Sequence, residues 1–284
     1  MHIQLMADGA ADIPERAMKI LDVKMVPLYV YIQGKEYKTG VTIDTETFYQ
    51  KMEDSEELPK SSAPSPMDFY EAYKQIDGDV PIIMLSLSQN LSATYDNAIT
   101  AKNMLLQEEP DREIEVINSK TASVGISVLL HAAKQQIEQG SSFQEVVTHI
   151  HEQIKKTNTL FVLKTLENLI LGGRLDRVRG TVAKYLNTKL LMHGSEEGTI
   201  EVTEKVRGNK KSIRRFVQQI GEHVQTFENK VIMMSHCNAE ERARTVLADI
   251  QEKYAFKAAY LTEMGPLSST YAGKGGLVIS FFKD

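Results

Sequence analysis

The chain has 284 residues, of which 42% are hydrophobic and 25% are charged, which is typical of a soluble globular protein long enough to form two domains. The net charge of -5 argues against binding nucleic acid over the whole surface, and the single cysteine, Cys237, cannot form a disulfide within the chain. The longest apolar segment, residues 124–133, is too short to span a membrane, and no basic leader precedes the first apolar run, so we expect a cytoplasmic protein.

Short apolar runs alternate with segments of helical periodicity over the first part of the chain, a pattern typical of a parallel sheet covered by helices. The elements predicted there are, in chain order, strand 2–6, a helix that Asp12 caps near residue 14, strand 25–32, a hairpin arm at 34–37, helices 44–52 and 66–75, strand 80–85, a helix over 95–105, strand 114–118, and helices 123–139 and 142–156.

The pattern changes after residue 157. The elements predicted beyond it are strand 159–164, helices 166–171 and 178–187, paired strands 189–193 and 199–207, helix 210–226, strand 230–235, helix 240–253, and strands 258–262 and 276–282. We therefore predict two α/β domains, a three-layer parallel-sheet domain at residues 1–157 and a two-layer mixed-sheet domain at residues 158–284.

One polar loop joins a buried strand to a helix and carries hydroxyls at Ser86, Ser88, Ser92 and Thr94. The first turn of a helix has unpaired N–H groups and the positive end of the helix dipole, so this loop is suited to an anionic group. The alternative that the local sequence leaves open is that Ser92 is only a helix N-cap.

Two further segments have both a functional and a plain structural interpretation. Residues 58–66 contain three prolines and three serines, which predicts either an extended loop that exposes hydroxyls or a simple connection. Residues 172–174, Gly-Gly-Arg, follow a predicted short helix, and taken alone they indicate a helix C-terminus followed by a surface arginine.

Basic residues cluster between positions 205 and 215 of an otherwise acidic chain. A solvated helix face and a docking patch for an acidic partner are both compatible with this cluster, whereas the overall charge disfavours nucleic acid. The cluster consists of Lys205, Arg207, Lys210, Lys211, Arg214 and Arg215.

Sequence motifs for catalysis or metal binding are absent. The chain has no G-x-S-x-G elbow, no P-loop and no G-x-G-x-x-G fingerprint. His149 and His151 lie two residues apart on a predicted helix and so cannot face one ion together. We therefore predict no metal and no cofactor.

Taken together, segments spread over the whole chain resemble the DegV family of bacterial fatty-acid-binding proteins. The matching segments keep the family's order and are Asp-Gly-Ala-Ala-Asp-Ile-Pro at 8–14, Pro-Lys-Ser-Ser-Ala-Pro-Ser-Pro at 59–66, Leu-Ser-Ala-Thr-Tyr at 91–95, Gly-Gly-Arg-Leu at 172–175, and the segments 187–191, 205–211 and 265–275. The chain departs from the family pattern where Gly9 replaces Ser, Ala63 replaces Gln, Ala93 replaces Gly, and Tyr271 replaces a His that the family links to phosphotransfer.

The resemblance implies a long-chain fatty acid bound between two α/β domains, and a role as the lipid-binding subunit of a fatty acid kinase. In that role the protein is not itself an enzyme, because a separate ATP-binding subunit phosphorylates the presented fatty acid for phospholipid synthesis. The residues that the resemblance assigns to the fatty acid carboxylate are Ser61, Ser62, Ser92, Ala93, Arg174 and Tyr271. The residues that we predict to dock the kinase subunit are Arg207, Lys210, Lys211, Arg214 and Arg215.

Two alternatives come from other classes of protein. One is a serine esterase or acyltransferase-like enzyme that acts on a small anionic acyl substrate, with Ser92 or Ser61 as the nucleophile. The other is an interaction protein that uses the basic helix and binds no small molecule.

Overall fold

The computed structural model describes residues 2–175 and 188–284, so the helix predicted at 178–187 lies outside the described residues. The strands are β1 (Gln4–Asp8), β2 (Lys24–Val26), β3 (Tyr29–Ile32), β4 (Lys35–Lys38), β5 (Lys60–Ser62), β6 (Ile82–Ser86), β7 (Ile114–Asn118), β8 (Thr157–Val162), β9 (Thr188–Gly194), β10 (Ile200–Arg207), β11 (Val231–His236), β12 (Ala258–Glu263) and β13 (Leu277–Phe282). The helices are α1 (Glu15–Leu21), α2 (Thr45–Asp54), α3 (Pro66–Lys74), α4 (Thr94–Glu108), α5 (Val124–Glu138), α6 (Phe143–Lys156), α7 (Glu167–Leu171), α8 (Asn209–His223), α9 (Glu240–Lys253) and α10 (Pro266–Ala272).

The N-terminal sheet is entirely parallel, with the strand order β2-β1-β6-β7. Every residue of β1 and β6 is buried, because helices cover both faces of the sheet, and this explains the uninterrupted apolar runs in their sequences. Helix α5, backed by α6, packs on one face, and α3 and α4 pack on the other. The predicted three-layer arrangement around a parallel sheet is confirmed.

The second sheet is mixed, with the strand order β10-β9-β8-β13-β11-β12. Strands β11 and β12 run parallel, and the other neighbouring pairs run antiparallel. Helices α8 and α9 cover one face, and α5 packs on the other. The predicted mixed sheet is confirmed, and the domain boundary near residue 157 stays a prediction.

Helix α5 lies between the two sheets. All its residues from Val124 to Leu130 are buried. Ile126 and Leu129 pack with the parallel sheet, whereas Val128 packs with Phe161 of β8. The first two turns of α5 are buried on every side, so this part of the helix joins the two halves of the molecule.

The prediction of one strand over residues 25–32 is wrong. The first part of this segment is β2 in the parallel sheet, and the second part is β3, which pairs with β4 and β5 in a separate three-stranded sheet. Pro27 lies at the break and has no N–H to donate to a strand ladder, so the chain changes sheets there. Because β5 belongs to the proline-rich segment 58–66, that segment is more than a simple connection.

The ends of the helices confirm some sequence predictions and contradict one. Ser65 and Ser142 each begin a helix with the predicted capping box. The predicted N-cap role of Asp12 is wrong, because its carboxylate is buried and accepts a hydrogen bond from the Gly265 N–H at 2.8 Å. Helix α10, which begins at Pro266, was not predicted.

Within residues 2–175 and 188–284, no helix is both long enough and apolar enough to cross a membrane. In the same ranges, no group of three or more His, Cys, Asp or Glu side chains is placed to hold a metal ion.

Candidate ligand-binding site

An internal cavity lies between the two sheets. Its walls come from the loop after β6, from β5 and α10, and from residues of β8 and β13. Most of the lining side chains are apolar, among them Leu28, Leu91, Phe161, Leu163, Met264 and Val278. Such a wall accepts a hydrocarbon chain and leaves the polar groups of a ligand to the hydroxyl-bearing and charged side chains that interrupt it.

Three of the predicted site residues meet on one side of this cavity. The Ser61 Oγ on β5 lies 2.6 Å from the Tyr271 hydroxyl on α10. The Arg174 guanidinium lies over the Tyr271 ring, 5.0 Å from its centroid, and its Nε donates to the Leu91 carbonyl at 3.2 Å. All three side chains line the cavity, so two hydroxyls and a guanidinium are available there to an anionic group.

The turn after α7 brings Arg174 to this position. Gly173 ends the helix with a φ of 76°, in the left-handed region that favours glycine. Gly172 lets the Tyr271 ring approach, since a Cβ at Gly172 would lie 2.7 Å from the Tyr271 Cε1. The helix C-terminus indicated by the sequence is therefore present, and the arginine that follows it lines the cavity.

Ser92 lines the cavity at the start of α4. The helix begins at Thr94 with Ala93 at the N-cap position, so the interpretation of Ser92 as the N-cap is wrong by one residue. The Ser92 Oγ still accepts a hydrogen bond from the Thr94 N–H at 3.3 Å and lies 2.7 Å from the Thr94 Oγ1. The positive end of the α4 dipole is thus beside a hydroxyl of the cavity, which favours an anionic group there.

Neither Ser62 nor Ala93 is among the described residues that line the cavity. Successive side chains of a strand point to opposite faces, so Ser61 turns towards Tyr271 and Ser62 turns towards the Tyr31 hydroxyl on β3. Ala93 is exposed before the first turn of α4. Their roles in carboxylate binding stay predictions.

The predicted docking residues lie at the end of β10 and on α8, and one of them differs from the rest. The exposed ones are Arg207, Lys210, Lys211 and Arg214. Arg215 is half-buried, with its Nη2 3.2 Å from Glu222 and its Nε 2.5 Å from Glu204, and these hydrogen bonds raise the pKa of Arg215. Because two carboxylates of the same chain already pair with it, Arg215 holds α8 against β10.

Asp8 organises the loop that carries Ser92, a role that the sequence prediction missed. Its carboxylate accepts hydrogen bonds from the Leu87 N–H at 2.7 Å, the Ser86 hydroxyl at 3.0 Å and the Ala10 N–H at 3.0 Å. The available signal was its position at the carboxyl end of a buried strand, because the carboxyl ends of parallel strands meet at one edge of a sheet.

Asp12 ties the N-terminal segment to the mixed sheet. Its carboxylate accepts hydrogen bonds from the Gly265 N–H and from the Ser123 hydroxyl, and the Ser123 Oγ lies 2.8 Å from the Ser235 Oγ on β11. Ser123 lines the cavity with a φ of 57°, which side chains other than glycine rarely adopt. Burial raises the pKa of both Asp8 and Asp12 to about 6, although their hydrogen bonds act in the opposite direction.

Comparison with known proteins identifies the family. A family model described as "Uncharacterised protein, DegV family" matches residues 2–284. The chain belongs to the DegV family. A DegV domain-containing protein of Streptococcus pneumoniae is 30% identical to it over 287 residues, and the match covers 100% of both proteins.

Solved structures of DegV proteins have the same fold. A Ruminococcus gnavus DegV protein solved with vaccenic acid has a TM-score of 0.91 and 29% identity, covering 98% of this chain and 99% of that one. The Streptococcus pneumoniae Fatty Acid Kinase (Fak) B3 protein loaded with linoleic acid has a TM-score of 0.87 and 29% identity, covering 100% of both chains. The resemblance predicted from the motifs and the two-sheet α/β fold are therefore confirmed.

Proposed function

We propose that this DegV protein binds a long-chain fatty acid in the cavity between the two sheets and presents its carboxylate to a separate ATP-binding kinase subunit in the cytoplasm. The observation that carries the proposal is the contact of Ser61, Arg174 and Tyr271 on the wall of a mainly apolar cavity, with Ser92 lining the same cavity. Two relatives with the same fold hold a fatty acid, and one of them is named as a fatty acid kinase protein, which supports both parts of the proposal.

The acyl chain supplies most of the affinity. Each methylene that leaves water contributes about 0.8 kcal/mol, so a chain of about 14 methylenes gains roughly 11 kcal/mol before the costs of ordering the chain and the protein. Burying a carboxylate against the same wall without hydrogen-bond partners would be strongly unfavourable, because the free energy lost with its hydration would far exceed the free energy gained. Charge-assisted hydrogen bonds from the Ser61 and Tyr271 hydroxyls, together with the positive end of α4, offset that loss.

The same donors suit presentation to a kinase. The Arg174 guanidinium already donates two of its five N–H groups to the carbonyls of Leu91 and Gly172 and stacks on Tyr271, which leaves fewer of its N–H groups for a salt bridge with the carboxylate. Neutral hydroxyls hold the carboxylate, and one of its oxygens is left to attack the γ-phosphorus of ATP. The new bond joins that oxygen to phosphorus, the bond from phosphorus to the β-phosphate oxygen breaks, and ADP leaves.

The esterase alternative requires a general base beside a serine. The side-chain partner of Ser61 is the Tyr271 hydroxyl, and that of Ser92 is the Thr94 hydroxyl. Among the described residues that line the cavity there is no histidine. These contacts favour binding of an intact fatty acid over attack on an ester.

Mass spectrometry of the purified native protein tests the proposed ligand. We expect a non-covalent fatty acid that organic extraction releases unchanged, and no acyl group on a serine of the extracted chain. A covalent acyl-serine would favour the enzyme. Protein that carries no fatty acid, and takes none up after delipidation, would overturn the proposal.

The Tyr271→Phe variant tests the position of the carboxylate. It removes the hydroxyl that meets Ser61 and keeps the ring against Gly172 and Arg174. We expect fatty acid affinity to fall about tenfold, and that of the matching fatty alcohol to fall less, because hydrogen bonds to charged groups are the stronger ones.

Fluorescence competition measures both affinities. Tyr70→Phe is the matched control, since the Tyr70 hydroxyl bonds to the exposed Glu108 at 2.7 Å. Unchanged fatty acid affinity in Tyr271→Phe would place the carboxylate elsewhere.

A further inference from the structure

The cavity is polar where β8 begins. Thr159 and Phe161 on β8, and Leu163 just beyond it, line the cavity on one face of the strand. Leu163 lies next to Ala272, the neighbour of Tyr271, since both approach Gly276. A strand rises by about 3.3 Å per residue, so Thr159 lies about 13 Å from Leu163, away from the side that holds Arg174 and Tyr271.

A chain of hydroxyls occupies this far end. The Thr121 Oγ1 lies 2.9 Å from the Thr159 Oγ1, which lies 3.0 Å from the Ser280 Oγ, and Ser280 donates to the Asn158 carbonyl. When Ser280 donates to that carbonyl, Thr159 donates to Ser280 and Thr121 donates to Thr159. The Thr121 oxygen keeps its own lone pairs, so it can accept a hydrogen bond from a ligand.

A second cavity lies behind these hydroxyls. It shares Lys120, Thr121, Thr159 and Gly194 with the first cavity, and its other walls are mainly polar. Because Thr121 and Thr159 line both cavities, their hydroxyls stand at the opening between the two.

We propose that the cavity accepts fatty acids that carry a hydroxyl at or near the end of the acyl chain opposite the carboxylate. The hydroxyl would donate to the Thr121 Oγ1, at the opening between the two cavities. The inference rests on the proposed function, because it assumes that the carboxylate lies at Ser61 and Tyr271. A wholly apolar tunnel would reject such a ligand, since its hydroxyl would be left unpaired.

Competition binding with pairs of ligands tests the inference. Each pair consists of a fatty acid and its ω-hydroxy derivative, made from lauric, palmitic and stearic acid, so that the hydroxyl is offered at three depths. We expect at least one ω-hydroxy acid to bind the wild-type protein within about threefold of its parent. In Thr121→Val and in Thr159→Val the affinity of the derivative should fall about tenfold relative to the affinity of its parent for the same variant.

Thr203→Val is the matched control, because the Thr203 hydroxyl donates to the Leu191 carbonyl and Thr203 is not among the described residues that line the cavity. The wild-type comparison needs no variant, and either valine variant suffices if the other does not fold. Rejection of all three ω-hydroxy acids by tenfold or more, with the parents bound, would overturn the inference and leave the proposed function intact. Failure of the parent acids to bind would overturn the proposed function itself.

Discussion

Burial in the folded protein disfavours the ionised form of the Asp12 carboxyl. Asp12 is 3% exposed, and burial raises its pKa from the ordinary value of 3.8 to about 6. The folded protein therefore holds the Asp12 proton more tightly than the unfolded chain does. The stability that this difference contributes is fully present below about pH 4 and is lost as the pH rises through about 6.

The Asp12→Asn variant should remove this pH dependence. The asparagine side chain keeps an oxygen that can accept from the Gly265 N–H, and it has no proton to lose. Between about pH 4 and pH 7, the free energy of unfolding of the variant should rise relative to the wild-type value by up to about 3 kcal/mol. Urea unfolding at a series of pH values measures this, with the exposed Asp79→Asn as the control. A difference that stays constant over this range would contradict the prediction.

One cavity is lined by Ser61, Ser92, Arg174 and Tyr271, and their roles in carboxylate binding stay predictions. Sequence reasoning at the residue scale grouped these four because a motif carries each of them. It could not separate Ser61 from Ser62, because which face each serine takes depends on the pairing of β5 with β3. It could not find the role of Asp12, whose partners lie 111 and 253 residues further along the chain.

The turn between β9 and β10 fastens the mixed sheet to the loop that carries Ser92. The Ser88 hydroxyl donates to the Gly198 carbonyl at 2.7 Å, and the Asn90 Nδ2 donates to the Glu197 carbonyl at 2.5 Å. Gly198 lines the cavity and has a φ of 76°. A Cβ on Gly198 would lie 2.3 Å from the Ser88 Oγ and 2.9 Å from the backbone of Lys120, so no side chain fits there.

Gly198→Ala should therefore destabilise the protein and weaken fatty acid binding. The matched control is Gly140→Ala, which has a φ of 85° but open space around the added Cβ, so it has only the strain of a left-handed alanine, about 1 kcal/mol. We expect Gly198→Ala to lose at least about 1 kcal/mol more than the control, since its neighbours must also move. Urea unfolding and fatty acid titration measure both effects. Equal losses of unfolding free energy in the two variants would mean that the turn at Gly198 accommodates the added Cβ without further cost.

Some helices and strands could be predicted from the sequence and others could not, for physical reasons. Strands β1 and β6 and helix α5 were recognised because burial leaves a long apolar pattern in the sequence. Helix α10 was missed because it is seven residues long and mixes hydroxyls with apolar side chains, although Pro266 at its first turn was a usable signal. Pro27 is a comparable signal for the break between β2 and β3, because proline has no N–H to donate to a strand ladder.

At the scale of the whole molecule, two sheets with different strand directions enclose the cavity. Helix α5 and the hydrogen bonds that link Asp12 to Gly265 and, through Ser123, to Ser235 hold the two sheets together. The alternation of strands and helices predicted a parallel sheet followed by a second, mixed one. It could not say which faces meet, because a run of buried residues such as 124–130 of α5 indicates burial without naming its partners. The cavity exists only once those faces are paired.

The outer side of the mixed sheet carries a cluster of exposed positive charges. The chain has a net charge of -5, yet Arg207, Lys210, Lys211 and Arg214 are exposed close together in sequence at the end of β10 and on α8. Complementary charge raises the rate at which partners meet, and salt screens it. A kinase subunit that docks here should therefore respond to the sign of these charges more than to the identity of the bound lipid.

The Arg207→Glu and Arg214→Glu variants test this docking surface. Each should lower kcat/KM for acyl-phosphate formation by the ATP-binding subunit about tenfold at low salt, with a smaller loss at high salt, and leave fatty acid affinity unchanged. Lys24→Glu, an equal charge change at an exposed residue of β2, is the control. Arg215 is unsuitable, because reversing it would break its pairs with Glu204 and Glu222 and loosen α8. If Lys24→Glu lowers kcat/KM as much as the other two variants, the net charge of the protein controls the reaction and the basic surface has no special role. A parallel loss of lipid affinity would indicate damage to the fold.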